Sequence, residues 1–274
     1  MVAEGLSVKI ACRVLDVTRA GFYAWKKRPL SPRAIRNVWL TDVISEIHVA
    51  SRGTYGALRV HAELRLGRGI IVGHNQVGVL MRNAGLVGLP RRRRYPKRGG
   101  LDTTAADLVN REFARVEPDK LWVTYITEHR TREGKLYCCV VLDTFSRRVV
   151  GWSIGSTQTA ALTANALSMA ITNRQPRSGS GLIIHSDHGT QFTSWAFTRR
   201  AQQSGLLRSL GSVGDCFDNA VIESFWGRMQ TELLNRQRWR TRVELANAGF
   251  EYLELFYNRQ RRHSAIGMLH PDRI

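Results

Sequence analysis

A carboxylate that could bind a metal ion or a substrate stands at the end of a short apolar segment. In IIHSDHGTQF, residues 183–192, Asp187 follows the apolar residues and precedes small polar residues that favour a turn. Ligands often bind beyond the ends of strands in α/β sheets, which makes Asp187 a candidate. An isolated aspartate more commonly only shapes its turn. His185 and His188 lie beside it but form no zinc pair with a third ligand, so they are secondary candidates.

A second carboxylate lies in a segment with helical character. In GDCFDNAVIESFWGR, residues 214–228, Asp218 has the place of a helix N-cap and Glu223 falls in the helix that follows. A glutamate at the solvent surface would be the ordinary reading. Glu223 is flanked by Ile222 and Phe225, however, and a carboxylate beside apolar neighbours is costly unless it is paired or bound to metal. Glu223 is therefore the second candidate ligand.

The charge of the chain predicts a polyanionic partner. The 274 residues carry a net charge of +19, and residues 1–100 hold nineteen Lys and Arg against five Asp and Glu. The remaining residues hold twenty-two against seventeen. The first third is therefore expected to dock on nucleic acid, with an anionic membrane surface as the weaker alternative. No apolar run approaches the ~20 residues that span a bilayer.

The cysteines predict neither a disulfide framework nor a zinc site. Cys12, Cys138, Cys139 and Cys216 show no CxxC spacing, and the adjacent pair should point to opposite faces of a strand. The N-terminus lacks the pattern of a signal peptide. We therefore expect a reducing cytoplasm.

The N-terminal third should be helical. Residues 7–28, SVKIACRVLDVTRAGFYAWKKR, read as two short helices around a break near Thr18, which is the outline of a helix-turn-helix, although any two-helix hairpin would look similar. The stretch 31–48 opens with Ser31 and Pro32, a favoured helix start, and two further helices follow it. The predicted domains are a partial helix-turn-helix (1–30), a helical DNA-binding domain (31–89), a basic linker (90–117), a catalytic core (118–235) and a C-terminal helical extension (236–274).

The linker PRRRRYPKRGG, residues 90–100, cannot bury a core because it combines Pro and Gly with six cations. It could be a solvated spacer, or a basic arm that follows DNA phosphates, and the two readings are compatible. Its expected DNA contacts are Arg91, Arg92, Arg93, Arg94, Lys97 and Arg98.

The two candidate carboxylates require a scaffold, and the pattern after Lys120 supplies one. Three apparently antiparallel strands, a helix, and then alternating strands and helices predict a mixed five-stranded α/β sheet of the ribonuclease H-like order. The predicted strands are 121–127, 135–142, 148–154, 181–187 and 206–210, and the predicted helices are 159–171, 193–204 and 218–234.

Several long motifs resemble the catalytic reading frame of two-frame bacterial insertion-sequence transposases, whose core is similar to that of retroviral integrases. The resemblance is carried by residues 120–152, by HSDHGTQF, by GSVGDCFDNAVIESFWG and by YNRQRRHSAIGMLHP. It covers almost the whole chain. It implies a helix-turn-helix region followed by an integrase core, and Arg261 and Arg262 in the last motif as further DNA contacts.

The resemblance also implies an Asp-Asp-Glu triad. Thirty-five residues separate Asp187 from Glu223, which agrees with the family's second and third carboxylates. Such a triad holds two Mg²⁺ or Mn²⁺ ions across one phosphodiester bond and supports 3′-end cleavage followed by strand transfer. The implied partners are the double-stranded DNA of terminal repeats and target, further copies of the chain, and an upstream-frame protein.

The first carboxylate of the triad is missing from this sequence. The family has a pattern similar to Trp-x-x-Asp-Ile-Thr, and this chain reads WVTYIT, so Tyr125 stands at that place. A neutral phenol is a poor substitute for a carboxylate that bridges two metal ions. We expect at most one weakly bound ion and an impaired enzyme. Asp143 and Glu128 are the nearest possible replacements, but Asp143 should shape a turn and Glu128 should face away from Tyr125.

A second departure lies on the helix of Glu223. The family commonly has Lys or Arg seven residues beyond the glutamate, on the same face of the helix, and this chain has Gln230. Two functions therefore remain open. One is a DNA transposase with an impaired centre, and the other is a catalytically inactive DNA-binding protein that occupies element ends and inhibits transposition.

Overall fold

The computed structural model describes residues 7–89, 109, 113, 115–211 and 220–274. The positions of the expected linker contacts and of the acidic loop before Glu223 lie outside these residues. They are Arg91, Arg92, Arg93, Arg94, Lys97, Arg98, Asp215 and Asp218. Within the described chain, none of the helices is long and apolar enough to cross a membrane.

Two short helices open the chain, as the pattern predicts. Helix α1 spans Val8–Val14 and α2 spans Arg19–Lys27. Thr18 begins α2, because its side-chain oxygen accepts a hydrogen bond from the amide of Gly21 at 3.0 Å and satisfies a free donor at the helix start. The residues of α2 all remain outside the core.

Three further helices form a small bundle. The start of α3 at Pro32 is confirmed, with the Ser31 side chain capping it. The buried side of α3 consists of Leu40, Val43, Ile44 and Ile47. The helices are α3 (Pro32–Ala50), α4 (Ala57–Ala62), which continues as a π-helical turn (Glu63–Gly67), and α5 (His74–Asn83).

A five-stranded mixed sheet forms the second half, as predicted. Its order is β3-β2-β1-β4-β5, with β1, β2 and β3 antiparallel and with β4 parallel to both β1 and β5. The strands are β1 (Leu121–Thr131), β2 (Gly134–Asp143), β3 (Val149–Gly155), β4 (Ile183–Ser186) and β5 (Leu207–Leu210). The strand order is that of a ribonuclease H-like core.

Helices cover both faces of this sheet, so each face has its own apolar cluster. Cys138 belongs to one cluster and Cys139 to the other, which confirms that the adjacent cysteines point to opposite faces. One face is covered by α6 (Ala160–Arg174), α7 (Thr190–Thr193) and α8 (Trp195–Gln203), and the other by α9 (Ala220–Glu232), α10 (Arg242–Phe250) and the π-helical turn that follows α10 (Glu251–Tyr257).

The C-terminal segment joins the helical bundle to the sheet. The Tyr55 hydroxyl accepts a hydrogen bond from the amide of Arg262 at 2.7 Å and donates one to the carbonyl of Gln260 at 3.0 Å. The bundle and the sheet face that carries α9 consequently share one apolar cluster. Short 3₁₀ turns complete the segment at Leu234–Arg236, Ser264–Ile266 and Pro271–Arg273.

Two arginines expected to contact DNA are instead buried in ion pairs. Arg261 donates two hydrogen bonds of 2.7 Å to Glu232, and Arg262 donates one of 2.6 Å to Glu63. Both arginines are almost fully buried, at 2% and 1% exposure. The basic motif therefore supplies internal partners for two distant glutamates, and a DNA contact of Arg261 or Arg262 stays a prediction.

Candidate active site

Asp187 lies immediately beyond strand β4, where the sequence placed it. The strand ends at Ser186, and the carboxylate accepts a hydrogen bond from the amide of Gly189 at 2.9 Å. This contact fixes one carboxylate oxygen as the acceptor of a tight turn. The side chain is only half-buried, so it combines a fixed position with access to solvent.

Tyr125 of β1 lies close to Asp187. Strands β1 and β4 are parallel, and their last paired residues are Val123 and His185. If this register continued for two more residues, Tyr125 of β1 would come level with Asp187, which lies just beyond the end of β4. Neighbouring strands are about 4.8 Å apart, so the two side chains would then be neighbours.

Glu223 approaches from helix α9, which covers this face of the sheet. Ile222, Phe225 and Trp226 of α9 are buried in the same apolar cluster against which Tyr125 packs. These residues hold the helix down, while Glu223, between them in sequence, is exposed. The carboxylate therefore stands at the rim of the helix–sheet contact rather than in the core.

The electrostatics of Tyr125 show that both carboxylates act on it. Burial raises the pKa of the Tyr125 phenol, and the negative charges of Asp187 and then Glu223 raise it further. Both carboxylates thus lie within electrostatic range of the Tyr125 phenol. The phenol stays protonated at neutral pH, so it adds no negative charge to the pair of carboxylates.

The two possible substitute carboxylates are engaged elsewhere. Asp143 is fully buried and accepts hydrogen bonds from the amides of Asp119 and Ser146, which confirms its role in a turn. It pairs in the sheet with Trp122, three residues before Tyr125. Glu128 forms an exposed ion pair with Lys135 at 2.8 Å.

The two histidines beside Asp187 have different surroundings. His185 is fully buried, lies 2.9 Å from the hydroxyl of Ser209 and packs edge-on against Phe113. The Nε2 atom of His188 is buried without a hydrogen-bond partner in the described part of the chain. The structure thus gives His185 a packing role and leaves His188 beside the carboxylate.

The side chains that the structure describes around Asp187 do not fit a pair of metal ions. Among the described residues, no group of three or more His, Cys, Asp or Glu side chains is placed to hold a metal. Two divalent ions need several oxygen ligands to offset their charge, and a neutral phenol between Asp187 and Glu223 does not provide it. On α9, Gln230 is likewise neutral at the position two helical turns beyond Glu223.

Three parts of the chain match known domain families. Residues 115–216 match the family described as "Integrase core domain", and residues 204–271 match a second family with the same description. Residues 36–94 match the family described as "HTH-like domain". Together these matches cover the α3–α5 bundle, the sheet and the C-terminal segment.

Several relatives match nearly end to end. The chain is 37% identical to the "Insertion element IS600 uncharacterized 31 kDa protein" of Shigella sonnei, over 95% of each chain. It is 34% identical to "Transposase InsF for insertion sequence IS3A" of Escherichia coli (strain K12), over 98% of this chain and 93% of that one. It is 33% identical to "Transposase for insertion sequence element IS904" of Lactococcus lactis subsp. lactis (strain IL1403), over 89% and 96%.

Among solved structures, the chain is similar to the HTLV-2 integrase catalytic core domain in complex with magnesium. The match has 20% identity and a TM-score of 0.44, and it covers 58% of this chain and 97% of that one. Family membership follows from the sequence relatives, which exceed 30% identity over most of their length. The chain belongs to the family of insertion-sequence transposases, with an integrase core behind a helical, helix-turn-helix-like region.

Proposed function

We propose that this transposase binds DNA at a catalytic centre of which two carboxylates remain and the third is replaced by tyrosine. Asp187 and Glu223 are its surviving acidic groups, and Tyr125 occupies the place of the first. The observation that carries the proposal is that the charges of Asp187 and Glu223 both act on the phenol of Tyr125, which packs against the same apolar cluster as the helix of Glu223. Cleavage and strand transfer at element ends are accordingly expected to be strongly impaired.

The arrangement of Tyr125, Asp187 and Glu223 supports descent from a transposase with an active catalytic triad. The neutral phenol lies beside two carboxylates whose charges oppose its ionisation. Electrostatic repulsion therefore keeps the site from recovering a third negative charge by losing the phenolic proton. Any restoration must come from a change of residue at 125.

Metal binding should reveal the missing ligand directly. In calorimetric titration with Mn²⁺, the unchanged protein is expected to bind at most one ion weakly, because only Asp187 and Glu223 supply charged oxygens. The Tyr125→Asp variant should bind two ions, and adding Glu223→Gln to it should remove at least one of them. Two tightly bound ions in the unchanged protein would contradict this account.

DNA binding should depend on the basic run at 91–98. Replacing Arg91, Arg92, Arg93 and Arg94 by glutamine is expected to flatten the slope of log affinity against log salt by about three to four, since each neutralised phosphate contributes about 0.9. The measurement is the affinity of the full chain for duplex DNA between about 50 and 200 mM salt.

A matched control removes the same charge elsewhere. The exposed Arg130, Arg132, Arg238 and Arg240 lie near the far end of β1, and their replacement by glutamine should leave most of the salt slope in place. An affinity of the unchanged protein that does not vary with salt would contradict a role for the basic run. Equal losses in the two variants would contradict its specificity.

A second function is favoured by Tyr125 and Gln230 together. Both substitutions remove charge beside Asp187 and Glu223 while the DNA-binding region stays basic. Such a chain could occupy element ends and inhibit an active transposase by mixed assembly. Adding the unchanged protein to an active relative would then lower the relative's transposition in a dose-dependent way, whereas the Tyr125→Asp variant would not inhibit it.

The remaining partners and the location follow from the proposed reaction. The substrates would be the double-stranded DNA of terminal repeats and target, bound by more than one copy of the chain and with an upstream-frame protein. Mg²⁺ or Mn²⁺ would be the cofactor of a complete centre, and the setting would be the bacterial cytoplasm at the nucleoid. The bacterial sources of the relatives support this setting.

A further inference from the structure

A cleft lined by several arginines lies along α9, the helix that carries Glu223. It is a half-enclosed cavity of about 330 Å³ between α4, the β2–β3 turn, α9 and the C-terminal segment. Both apolar and polar side chains line it. These polar side chains include Arg59, Arg147, Arg228, Arg261, His263 and Ser224. We refer to it as the arginine cavity.

The arginine cavity concentrates positive charge close to two buried carboxylates, Glu232 and Asp143, and the charge of Asp143 acts on Arg147. Glu232 binds Arg261 and lies 4.0 Å from Arg59. Among the residues that the structure describes, no carboxylate lines the cavity itself. Burial and then the charge of Arg261 lower the pKa of Arg59 to about 10. Grouping guanidinium ions in this way costs free energy unless an anion offsets their charge.

Arg147 is held in the cavity at an energetic cost. Its backbone has a φ of 63°, in the left-handed region that non-glycine residues seldom occupy. Its Nε–H is buried and has no hydrogen-bond partner in the described chain. A strained residue that carries an unsatisfied, charged donor beside a cleft is characteristic of a binding position.

The pKa of His263 depends on the same group of charges. Burial first, and then the positive charges of Arg261, Arg59, Arg228 and Arg147, hold the pKa of His263 well below its ordinary value. The imidazole is therefore neutral at pH 7. An anion placed among these arginines would reduce their effect on His263 and raise its pKa, which makes this residue an internal probe of occupancy.

The position of the arginine cavity relates it to the candidate active site. Val221, Ser224 and Arg228 of α9 line the cavity, and Glu223 immediately precedes Ser224 on the adjoining face of the helix. Arg59, Arg228 and Ser264 also line a neighbouring cavity of about 560 Å³, which extends along α4 to His74 and Leu89. The two cavities thus share lining residues between the helix of Glu223 and α4.

We propose that the arginine cavity binds a phosphate group, and that the phosphate belongs to the backbone of a DNA strand passing the helix of Glu223. Guanidinium groups match the geometry of phosphate oxygens, and several of them can share one phosphate group. The identification of DNA as the source rests on the proposed function, whereas phosphate binding itself does not. A free phosphate or nucleotide is the alternative source.

The test is a titration of the full chain, monitored by the NMR signals of the His263 imidazole. Inorganic phosphate, and separately a short DNA duplex, should each shift these signals and raise the pKa of His263. Arg147→Gln should weaken phosphate binding about tenfold and lower the salt slope of DNA binding by about one. Arg148→Gln is the matched control, because Arg148 is the adjacent cation but pairs with Asp272 at 3.1 Å and does not line the cavity.

The outcomes separate this proposal from the proposed function. No shift of the His263 signals with phosphate or DNA, or equal effects of Arg147→Gln and Arg148→Gln, would overturn the site. A response to phosphate that Arg147→Gln weakens, with DNA affinity unaffected by that variant, would overturn DNA as its source. Cleavage is not needed for any of these readouts, so a failure to nick DNA leaves the result on the arginine cavity intact.

Discussion

Replacing Glu232 by glutamine should lower the free energy of unfolding by about 3–5 kcal/mol, as for other buried ion pairs that lose one partner. Arg261 would then keep a buried positive charge without its bidentate carboxylate. Glu232 also accepts a hydrogen bond from the hydroxyl of buried Tyr252 at 2.8 Å, so the substitution disturbs a network and not a single contact. Urea unfolding at neutral pH measures the change.

Two comparisons test the cause of that loss. Glu128→Gln breaks an exposed ion pair with Lys135 and should have a far smaller effect, because solvent screens the interaction. Combining Glu232→Gln with Arg261→Met removes the stranded charge and should recover much of the stability. If Glu232→Gln proved as mild as Glu128→Gln, the network would not hold the C-terminal segment in place.

The same pair should make stability depend on pH. Burial alone would raise the pKa of Glu232, but hydrogen bonds and charge from Arg261 outweigh it, so the folded-state pKa lies below the ordinary value of 4.5. A lowered pKa means that the stabilisation is complete above the unfolded-state pKa and is lost as the pH falls through the folded-state value. The Glu232→Gln variant should lack this part of the acid sensitivity.

The sheet could be predicted from the sequence because its strands are local patterns. Apolar residues in short runs, separated by turns, indicated all five strands, and the adjacent cysteines indicated a two-faced strand. The apolar pattern did not predict where β1 ends, because the pattern stops at residue 127. The strand continues to Thr131 because its polar end pairs with the start of β2, with Thr131 opposite Gly134.

Burial within the helices was harder to predict. In α3, Ile35 and Trp39 recur at helical spacing with Val43 and Ile47, yet they are 57% and 49% exposed. The adjacent Leu40 and Ile44 are buried in the core instead. Spacing identifies an amphipathic helix, but which neighbouring row becomes buried depends on contacts with α5 and the C-terminal segment that no local pattern contains.

The arginines show the limit of sequence reasoning most clearly. Arg261 and Arg262 resemble any exposed basic pair, and only the fold brings Glu232 and Glu63 to them. Arg59 and Arg228 gave no signal, since each is a single cation in an ordinary segment, and Arg147 gave none because it looks the same as its neighbour Arg148. By contrast, motif and spacing predict Asp187 and Glu223 as site residues, and the departure from the motif marks Tyr125.

Replacing Tyr125 by aspartate should raise the DNA-nicking rate by at least about a hundredfold. The new carboxylate would lie in β1, close to Asp187. The buried Trp122, Val123 and Ile126 hold the backbone of this strand in place. Metal-assisted charge stabilisation contributes several kcal/mol to such reactions, and about 1.4 kcal/mol corresponds to a tenfold change in rate. Aspartate is smaller than tyrosine, so the exchange leaves a small cavity rather than a clash.

Two additional variants test the negative charge at residue 125 and the missing cation on α9. Tyr125→Asn has the size of aspartate without its negative charge, so it should remain as inactive as the unchanged protein. Gln230→Lys, added to Tyr125→Asp, restores a cation two turns beyond Glu223 and should strengthen binding of the cleaved DNA. Equal activity of the Asn and Asp variants would show that removal of the ring, and not the carboxylate, is responsible.

The most direct test of the account is Mn²⁺-dependent nicking of element-end DNA by three proteins measured side by side: the unchanged chain, Tyr125→Asp, and Tyr125→Asp with Glu223→Gln. We expect activity from Tyr125→Asp alone, because only that variant combines three carboxylates. Nicking by the unchanged chain at the rate of Tyr125→Asp would show that Tyr125 does not impair the enzyme. Activity that survives Glu223→Gln would show that Tyr125, Asp187 and Glu223 do not form one catalytic centre.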